Sequence, residues 1–185
     1  MHRRTDRPSA SSGIYIATVL ALFTIIFAAP GMASPAPANN EGGRESADLI
    51  LVYKAERTMY LLNDGEVMRT YRVALGRVPE GHKTREGDGR TPEGGYRIDW
   101  RNPDSRFHLS LHISYPRPND RWSAAEAGLS PGGQIMIHGM PNGMNAAQVG
   151  HPYADWTNGC IAVDDAEIEE IWNLVNDGTQ IVILP

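Results

Sequence analysis

Short apolar runs separated by turn residues are the feature that most limits the folds open to this chain. Residues 58–62 and 67–75 flank Asn63-Asp64-Gly65, which is a strong hairpin signal. A third apolar run, residues 49–53, precedes them. The 185 residues include 19 Gly and 13 Pro, so turns should be frequent and strands short. The sequence therefore predicts a mainly β domain that opens as a meander of antiparallel strands.

The rest of the chain adds helices to this pattern and gives it mixed α/β content. Residues 120–128 are predicted to form a short helix. A second helix is predicted to begin at Asp164, where Glu167 completes a capping box. Its apolar face is Ile168, Ile171, Trp172 and Val175, and Asn176-Asp177-Gly178 is expected to end it. Four further strands are predicted at residues 96–100, 107–115, 134–137 and 181–184.

The N-terminus has the pattern of an export signal. Arg3, Arg4 and Arg7 precede an uncharged apolar run, residues 14–29, and small residues follow it. This order is typical of a secretory signal peptide, while an uncleaved membrane anchor is the alternative. We therefore predict a signal peptide or anchor over residues 1–33, a flexible linker over 34–46, and one folded domain over 47–185.

Composition excludes several classes of function. The formal net charge is −5, without a basic stripe, so nucleic acid is not an expected partner. Residues 76–95, called here the Gly-rich segment, form a long polar stretch, GRVPEGHKTREGDGRTPEGG. The segment lacks the Gly-Lys-Ser/Thr ending of a phosphate-binding loop, which argues against nucleotides. Its length inside a compact domain indicates a functional loop rather than an idle one.

Cys160 is the one cysteine of the chain, and an exported protein usually pairs its thiols. A buried, inert thiol is one interpretation. The alternative is a nucleophile, which needs a base within hydrogen-bond reach. His138-Gly139 ends an apolar strand and could supply that base, and Gly159 would let a substrate approach the backbone beside the sulfur.

A metal site is the rival use for the histidines. His108 and His112 are four residues apart, and a strand would place both on one sheet face, where a surface role is commonest. Zinc could be bound by members of the set His108, His112, His138 and His151. Without a second cysteine or a tight pair of ligands, the sequence favours no metal.

Five blocks of this chain resemble the L,D-transpeptidase catalytic domain, also called the YkuD domain. The blocks occur in the same order as in that family, and the likeness extends over nearly all of residues 48–185. They are GDGRTPEGGYRI (87–98), LSLHISYP (109–116), IMIHG (135–139), DWTNGCIAV (155–163) and DGTQIVIL (177–184). The run around the cysteine is most similar to the YafK-type subgroup.

The resemblance implies a site and a fold. It makes Cys160 the nucleophile and His138 the general base, oriented by the backbone carbonyl of Gly139. It assigns Thr157, Asn158 and Gly159 to the loop that shapes the oxyanion and substrate site. It further implies an L,D-transpeptidase-like β-sandwich with a C-terminal helix packed on it, and no metal or organic cofactor.

The implied activity is transfer through a thioester on peptidoglycan stem peptides, in cell-wall crosslinking or remodelling, by a protein of the periplasm or cell envelope. The acceptor would be an amine or an envelope protein. Two positions depart from the family, because Asn158 stands where many members have His and Ala162 where many have Arg or Asn. The segment 141–154 also lengthens the spacing from His138 to Cys160.

These departures leave the second step open. An L,D-carboxypeptidase, or an amidase that releases proteins from peptidoglycan, would use the same apparatus with water as the acceptor. A non-catalytic cell-wall binding module is an alternative of another class. A papain-like peptidase is disfavoured because that family places its Cys before its His.

Overall fold

A computed structural model describes residues 45–185 of the chain. The predicted export segment and residues 34–44 of the predicted linker lie outside the described residues. Within residues 45–185, no helix has the length and apolar character that a membrane crossing requires.

One eight-stranded sheet organises the domain, in the order β3-β2-β1-β8-β4-β5-β6-β7. The strands are β1 Ala47–Tyr53, β2 Thr58–Asn63, β3 Glu66–Arg72, β4 Gly94–Ser105, β5 His108–Ile113, β6 Met136–His138, β7 Ile161–Ala162 and β8 Val175–Leu184. The helices are α1 Pro118–Glu126, α2 Ala146–Val149 and α3 Asp165–Leu174. The predicted mainly β class with few helices is confirmed.

The opening meander is present as predicted. β1, β2 and β3 pair antiparallel in chain order. Asp64 and Gly65 form the tight turn between β2 and β3 with φ values of 51° and 82°. Positive φ at both central positions is what a two-residue hairpin with the native strand twist needs, and Asp-Gly satisfies it at low cost.

The long strand β4 makes the sheet curl. Its first residues, Gly94 to Arg97, pair with β8, and its later residues, from Ile98 to Ser105, pair with β5. The two halves of the sheet thus enclose one apolar core, with Ile98, Leu111 and Ile181 fully buried in it. The predicted strand at 96–100 was too short, because alternation along β4 is interrupted where the register shifts between Ile98 and Trp100 and again between Asn102 and Ser105.

The helix α3 packs against β5, β6 and β8, so the predicted C-terminal helix on the sheet is confirmed. The amide of Asp164 donates to Glu167 Oε2 at 2.9 Å, as the capping box predicts. The predicted end of α3 was wrong: the helix stops at Leu174, and Val175 already belongs to β8. The Arg101 guanidinium explains the early stop, because it binds the carbonyl oxygens of both Trp172 and Val175.

Candidate active site

His138 and Cys160 are brought together by the parallel pairing of β6 with β7. Ile137 is level with Ile161 in this pair, and His138 is level with Ala162. Cys160 immediately precedes β7 and therefore lies level with Met136, two residues before His138. Residues two apart on a strand share a face, so the two side chains lie on the same face of the sheet. Both line one cavity of about 280 Å³, called here the histidine cavity, together with Phe107, Gln134, Met136 and residues of the β4–β5 turn.

The histidine is buried and held in one tautomer. Its Nδ1 lies 2.7 Å from the Gly139 carbonyl oxygen, which can only accept, so Nδ1 carries the proton and Nε2 carries the lone pair. The ring packs 4.5 Å from the Phe107 ring and 5.6 Å from the Trp156 ring, centroid to centroid. Burial lowers the pKa of His138 to about 4, although the Gly139 hydrogen bond opposes the shift. The imidazole is therefore neutral at pH 7 and able to accept a proton.

The thiol of Cys160 is half-buried, and its Sγ lies 3.6 Å from the Gln134 carbonyl oxygen. Burial raises the pKa of Cys160 above its ordinary value, while a backbone hydrogen bond at Met136 and the charge of Lys83 oppose that rise. The resting pair is thus a neutral thiol and a neutral imidazole. Attack on a carbonyl then requires the sulfur to lose its proton to a base.

Residues 157–160, the TNGC loop, are fixed from inside by one hydroxyl. Thr157 Oγ1 donates to the Cys160 carbonyl oxygen at 2.8 Å and accepts from the Gly159 amide at 3.1 Å. Gly159 has φ +130°, and a Cβ there would lie 2.6 Å from the Arg90 carbonyl oxygen, so only glycine fits. Within residues 45–185 the Cys160 amide has no acceptor, which leaves it available to an oxyanion.

The structure separates the roles of the three loop residues named from the sequence. Thr157 is buried, and Gly159 has its amide turned inward, so neither lines the cavities described here. Asn158 stands at the rim of a second cavity, and its Oδ1 accepts from Arg77 Nη1 at 2.8 Å. Ala162 is fully buried and its backbone pairs with Ala74, so its side chain cannot reach a substrate.

Residues distant in sequence hold the loop in place. Asp155 Oδ1 accepts the Leu75 amide at 2.9 Å, and its carboxylate also receives the Nε and Nη2 of Arg57, at 2.8–3.2 Å. The Thr157 amide donates to the Leu75 carbonyl oxygen at 3.1 Å. Sequence reasoning placed Asp155 in a motif but could not assign it this role, because Arg57 lies 98 residues away.

The second cavity has a volume of about 380 Å³ and is called here the lysine cavity. Cys160 lines both cavities. The lysine cavity also includes Lys83 and Gly87 from the Gly-rich segment, and Gly132, Gly133 and Asn158. Lys83 was missed as a site residue, and its position inside a long polar segment of unusual length was the available signal.

The four histidines considered as zinc ligands do not form one ligand group in the described part of the chain. His108 Nε2 contacts Glu169 at 2.7 Å, and His112 Nδ1 contacts Asp99 at 2.5 Å. His112 is buried, so the predicted surface role was wrong for it. In the described part of the chain, one group has ligand atoms spaced as a metal requires, all within 4.8 Å: His151, Asp164 and Glu167. His108, His112 and His138 do not belong to it.

Comparison with known sequences gives a consistent picture. The sequence model of the family described as YkuD, L,D-transpeptidase catalytic domain, matches residues 47–183. YafK of Escherichia coli (strain K12), which carries an L,D-transpeptidase name, is 31% identical over 133 residues. That alignment covers 68% of this chain and 46% of YafK. The chain therefore spans less than half of the length of this relative.

Solved structures show the same fold. Pgp2 of Campylobacter jejuni, described as a helical cell shape determining protein, superposes with a TM-score of 0.56 at 23% identity, over 75% of this chain and 48% of that one. Bd1075 of Bdellovibrio bacteriovorus superposes with a TM-score of 0.51 at 23% identity, over 76% of this chain and 48% of that one. An L,D-transpeptidase from Mycobacterium smegmatis superposes with a TM-score of 0.50 at 19% identity, over 75% of this chain and 59% of that one.

Proposed function

Because this chain belongs to the YkuD family of L,D-transpeptidase catalytic domains, we propose that it acts on peptidoglycan stem peptides through a Cys160 thioester. The observation that carries the proposal is the shared cavity of His138 and Cys160, with His138 neutral and its Nε2 free to accept. A buried packing cysteine would need no base beside it and no cavity above it.

The first step follows from these protonation states. His138 Nε2 takes the thiol proton as the sulfur attacks the carbonyl at the L-centre of diaminopimelate. The Gly139 carbonyl stabilises the imidazolium that forms, through the Nδ1–H bond. The Cys160 amide donates to the oxyanion. Collapse then expels the terminal D-amino acid, whose amine receives the proton from His138, and a thioester remains on Cys160.

The second step transfers the acyl group to an amine, which forms a crosslink or attaches an envelope protein. Water in place of the amine would make the enzyme an L,D-carboxypeptidase or an amidase. Asn158 is the residue of the site that bears on the choice between amine and water. It stands where many relatives have a histidine, and Arg77 holds it at the rim of the lysine cavity. We propose the transferase as the leading activity and a location in the periplasm or cell envelope.

Trapping the acyl-enzyme tests the first step. The purified domain is incubated with a carbapenem and its intact mass is measured, with Cys160→Ala as the control. A single adduct on the wild type and none on Cys160→Ala is the expected result. An adduct that persists on Cys160→Ala would remove Cys160 from the mechanism. Retention on peptidoglycan without any reaction at Cys160 would instead favour a binding module.

Product analysis tests the second step. Tetrapeptide muropeptides are supplied with and without an added amine acceptor, and the products are read by mass. A transferase gives amine-linked products that increase with acceptor concentration. Shortened peptides alone, at every acceptor concentration, would reject the transferase and establish the hydrolase.

A further inference from the structure

The lysine cavity contains a buried cation that the proposed mechanism does not use. Lys83 is 3% exposed, yet it lines a cavity that Cys160 also lines. Gly132 and Gly133 form part of the wall, so no side chain from these two positions occupies the space. A buried ammonium beside an open cavity is costly to desolvate unless it is paired or used.

Lys83 is held rigidly by its own loop. Its Nζ donates to Asp88 Oδ1 at 2.8 Å and to the Arg85 carbonyl oxygen at 3.1 Å. The Asp88 carboxylate in turn accepts the amides of Thr84, Arg85 and Arg90. Burial alone would raise the pKa of Asp88, but the hydrogen bond from Lys83 and those three amides together lower it to about 2. The ammonium is thus pre-positioned by a network that does not depend on a substrate.

A second buried lysine shows how a purely structural one is satisfied. Lys54 is 2% exposed, and its three N–H groups go to the Gly81 carbonyl, the Thr91 carbonyl and Glu93 Oε1 at 2.7, 3.0 and 2.8 Å. Lys83 uses two of its three N–H groups within residues 45–185. The third N–H has no acceptor there, and it is on the residue that lines the lysine cavity.

The two members of this ion pair differ in their access to the cavity, because Lys83 lines the lysine cavity and Asp88 does not. Burial raises the pKa of Cys160, and the charge of Lys83 opposes that rise. The one other charged residue of the cavity wall in the described chain is Glu86, whose Oε2 accepts from Ser130 Oγ at 3.2 Å.

We propose that the lysine cavity is a carboxylate-binding subsite, in which the third N–H of Lys83 donates to the free terminal carboxylate of the residue that leaves during attack by Cys160. This inference rests on the proposed function. The carboxylate carbon of a terminal amino acid lies one residue beyond the scissile carbonyl, roughly 3–4 Å along an extended chain. Lys83 thereby selects peptides that end at that residue over peptides that continue past it.

Alkylation of Cys160 tests the subsite without any turnover. The sulfur displaces iodide from either iodoacetate or iodoacetamide, and the two reagents differ in the carboxylate. The ratio of their rate constants is measured by intact mass for the wild type, Lys83→Met and Lys54→Met. We expect Lys83→Met to lower the ratio about three- to tenfold, as for loss of one charge-assisted hydrogen bond. Dividing the two rates cancels any change in the reactivity of the thiol itself.

Lys54→Met is the matched control, because it removes an equally buried ammonium that lines a different cavity. Its ratio should equal that of the wild type. An unchanged ratio in folded Lys83→Met, or an equal fall in both variants, would overturn the subsite. A turnover assay adds a second readout: Lys83→Met should raise KM for a peptide with a free terminus and leave KM unchanged for its amide.

A wild-type measurement covers the case in which Lys83→Met does not fold. Acetyl-D-alanine should slow the reaction of Cys160 with iodoacetamide, and acetyl-D-alaninamide at the same concentration should not. Equal protection by both compounds would reject the subsite. The alkylation and protection experiments need no turnover, so a catalytically inactive protein that prefers the carboxylate would support the subsite and contradict only the enzyme.

Discussion

Thr157 and Cys160 are joined by a hydrogen bond in which the threonine hydroxyl donates to the cysteine carbonyl oxygen at 2.8 Å. The same hydroxyl accepts the Gly159 amide, so one buried side chain sets the geometry of the whole TNGC loop. The Cys160 sulfur and amide keep their directions because the carbonyl of the same residue is fixed. Thr157 is a positioning residue, and its effect on chemistry is expected to pass through Cys160.

Replacing Thr157 tests this role. Thr157→Val keeps the shape but leaves the Gly159 amide and the Cys160 carbonyl without their partner, which should cost about 1–3 kcal/mol of unfolding free energy. Acylation of Cys160 should slow about 10- to 100-fold, as expected for a displaced nucleophile. Thr157→Ser restores the hydroxyl and should recover most of the lost stability and most of the lost acylation rate. Urea denaturation and the rate of carbapenem adduct formation are the measurements. Equal rates of adduct formation in Thr157→Val and Thr157→Ser would contradict a positioning role for Thr157.

His138 should make stability depend on pH. Its pKa is about 4 when folded and about 6.5 when unfolded, so between these values the unfolded chain binds a proton that the folded chain does not. Stability should therefore fall as the pH drops from 6.5 to 4, by roughly 3 kcal/mol from this group. His138→Gln, which cannot titrate, should show a smaller loss over the same interval. Urea unfolding at pH 7.0 and 4.5 measures the difference between the two slopes. Identical slopes would mean that the His138 pKa is not depressed.

The ion pair between Arg57 and Asp155 should couple the first hairpin to the TNGC loop. Asp155→Asn keeps an oxygen for the Leu75 amide but loses the charge that Arg57 binds. A double-mutant cycle with Arg57→Met should give a coupling of about 1–2 kcal/mol in unfolding free energy. Arg69→Met, which breaks an exposed pair with Glu170, is the control and should change stability little. A coupling energy near zero for Arg57 and Asp155 would mean that backbone pairing alone holds the TNGC loop in place.

Gly139 should not tolerate a side chain. A Cβ at this position would lie 2.5 Å from Asp165 Oδ1 and 3.0 Å from Ile168 Cγ2. The same Asp165 oxygen accepts the Met140 amide at 2.7 Å, so displacing it also breaks that bond. Gly139→Ala should destabilise the domain by about 1–3 kcal/mol and slow Cys160 acylation by moving the carbonyl that orients His138. Gly95→Ala, with open space around its Cβ, is the matched control. Equal stability of the two variants would show that the site can shift to accept the methyl group.

Much of the local structure could be predicted from short-range patterns. Asn63-Asp64-Gly65 predicts its hairpin because positive φ is accessible to these residues without a partner elsewhere in the chain. The start of α3 follows from Asp164 and Glu167, three residues apart. The end of α3 could not be predicted in the same way. The side chain that stops it, Arg101, lies on β4, more than 70 residues earlier.

Cys160, His138 and Gly139 were predicted as candidate site residues from the sequence itself, through the chemistry of thiol and imidazole and through resemblance to the motifs of a known family. The sequence also determined that turns are frequent and strands short. Tertiary structure decided which residues meet: β6 beside β7, Asp155 against Arg57, and Lys83 in a cavity that Cys160 also lines. The physical reason is that turns and helix caps depend on neighbours in sequence. Strand register and buried ion pairs depend instead on how distant segments share one core, and no local pattern encodes that.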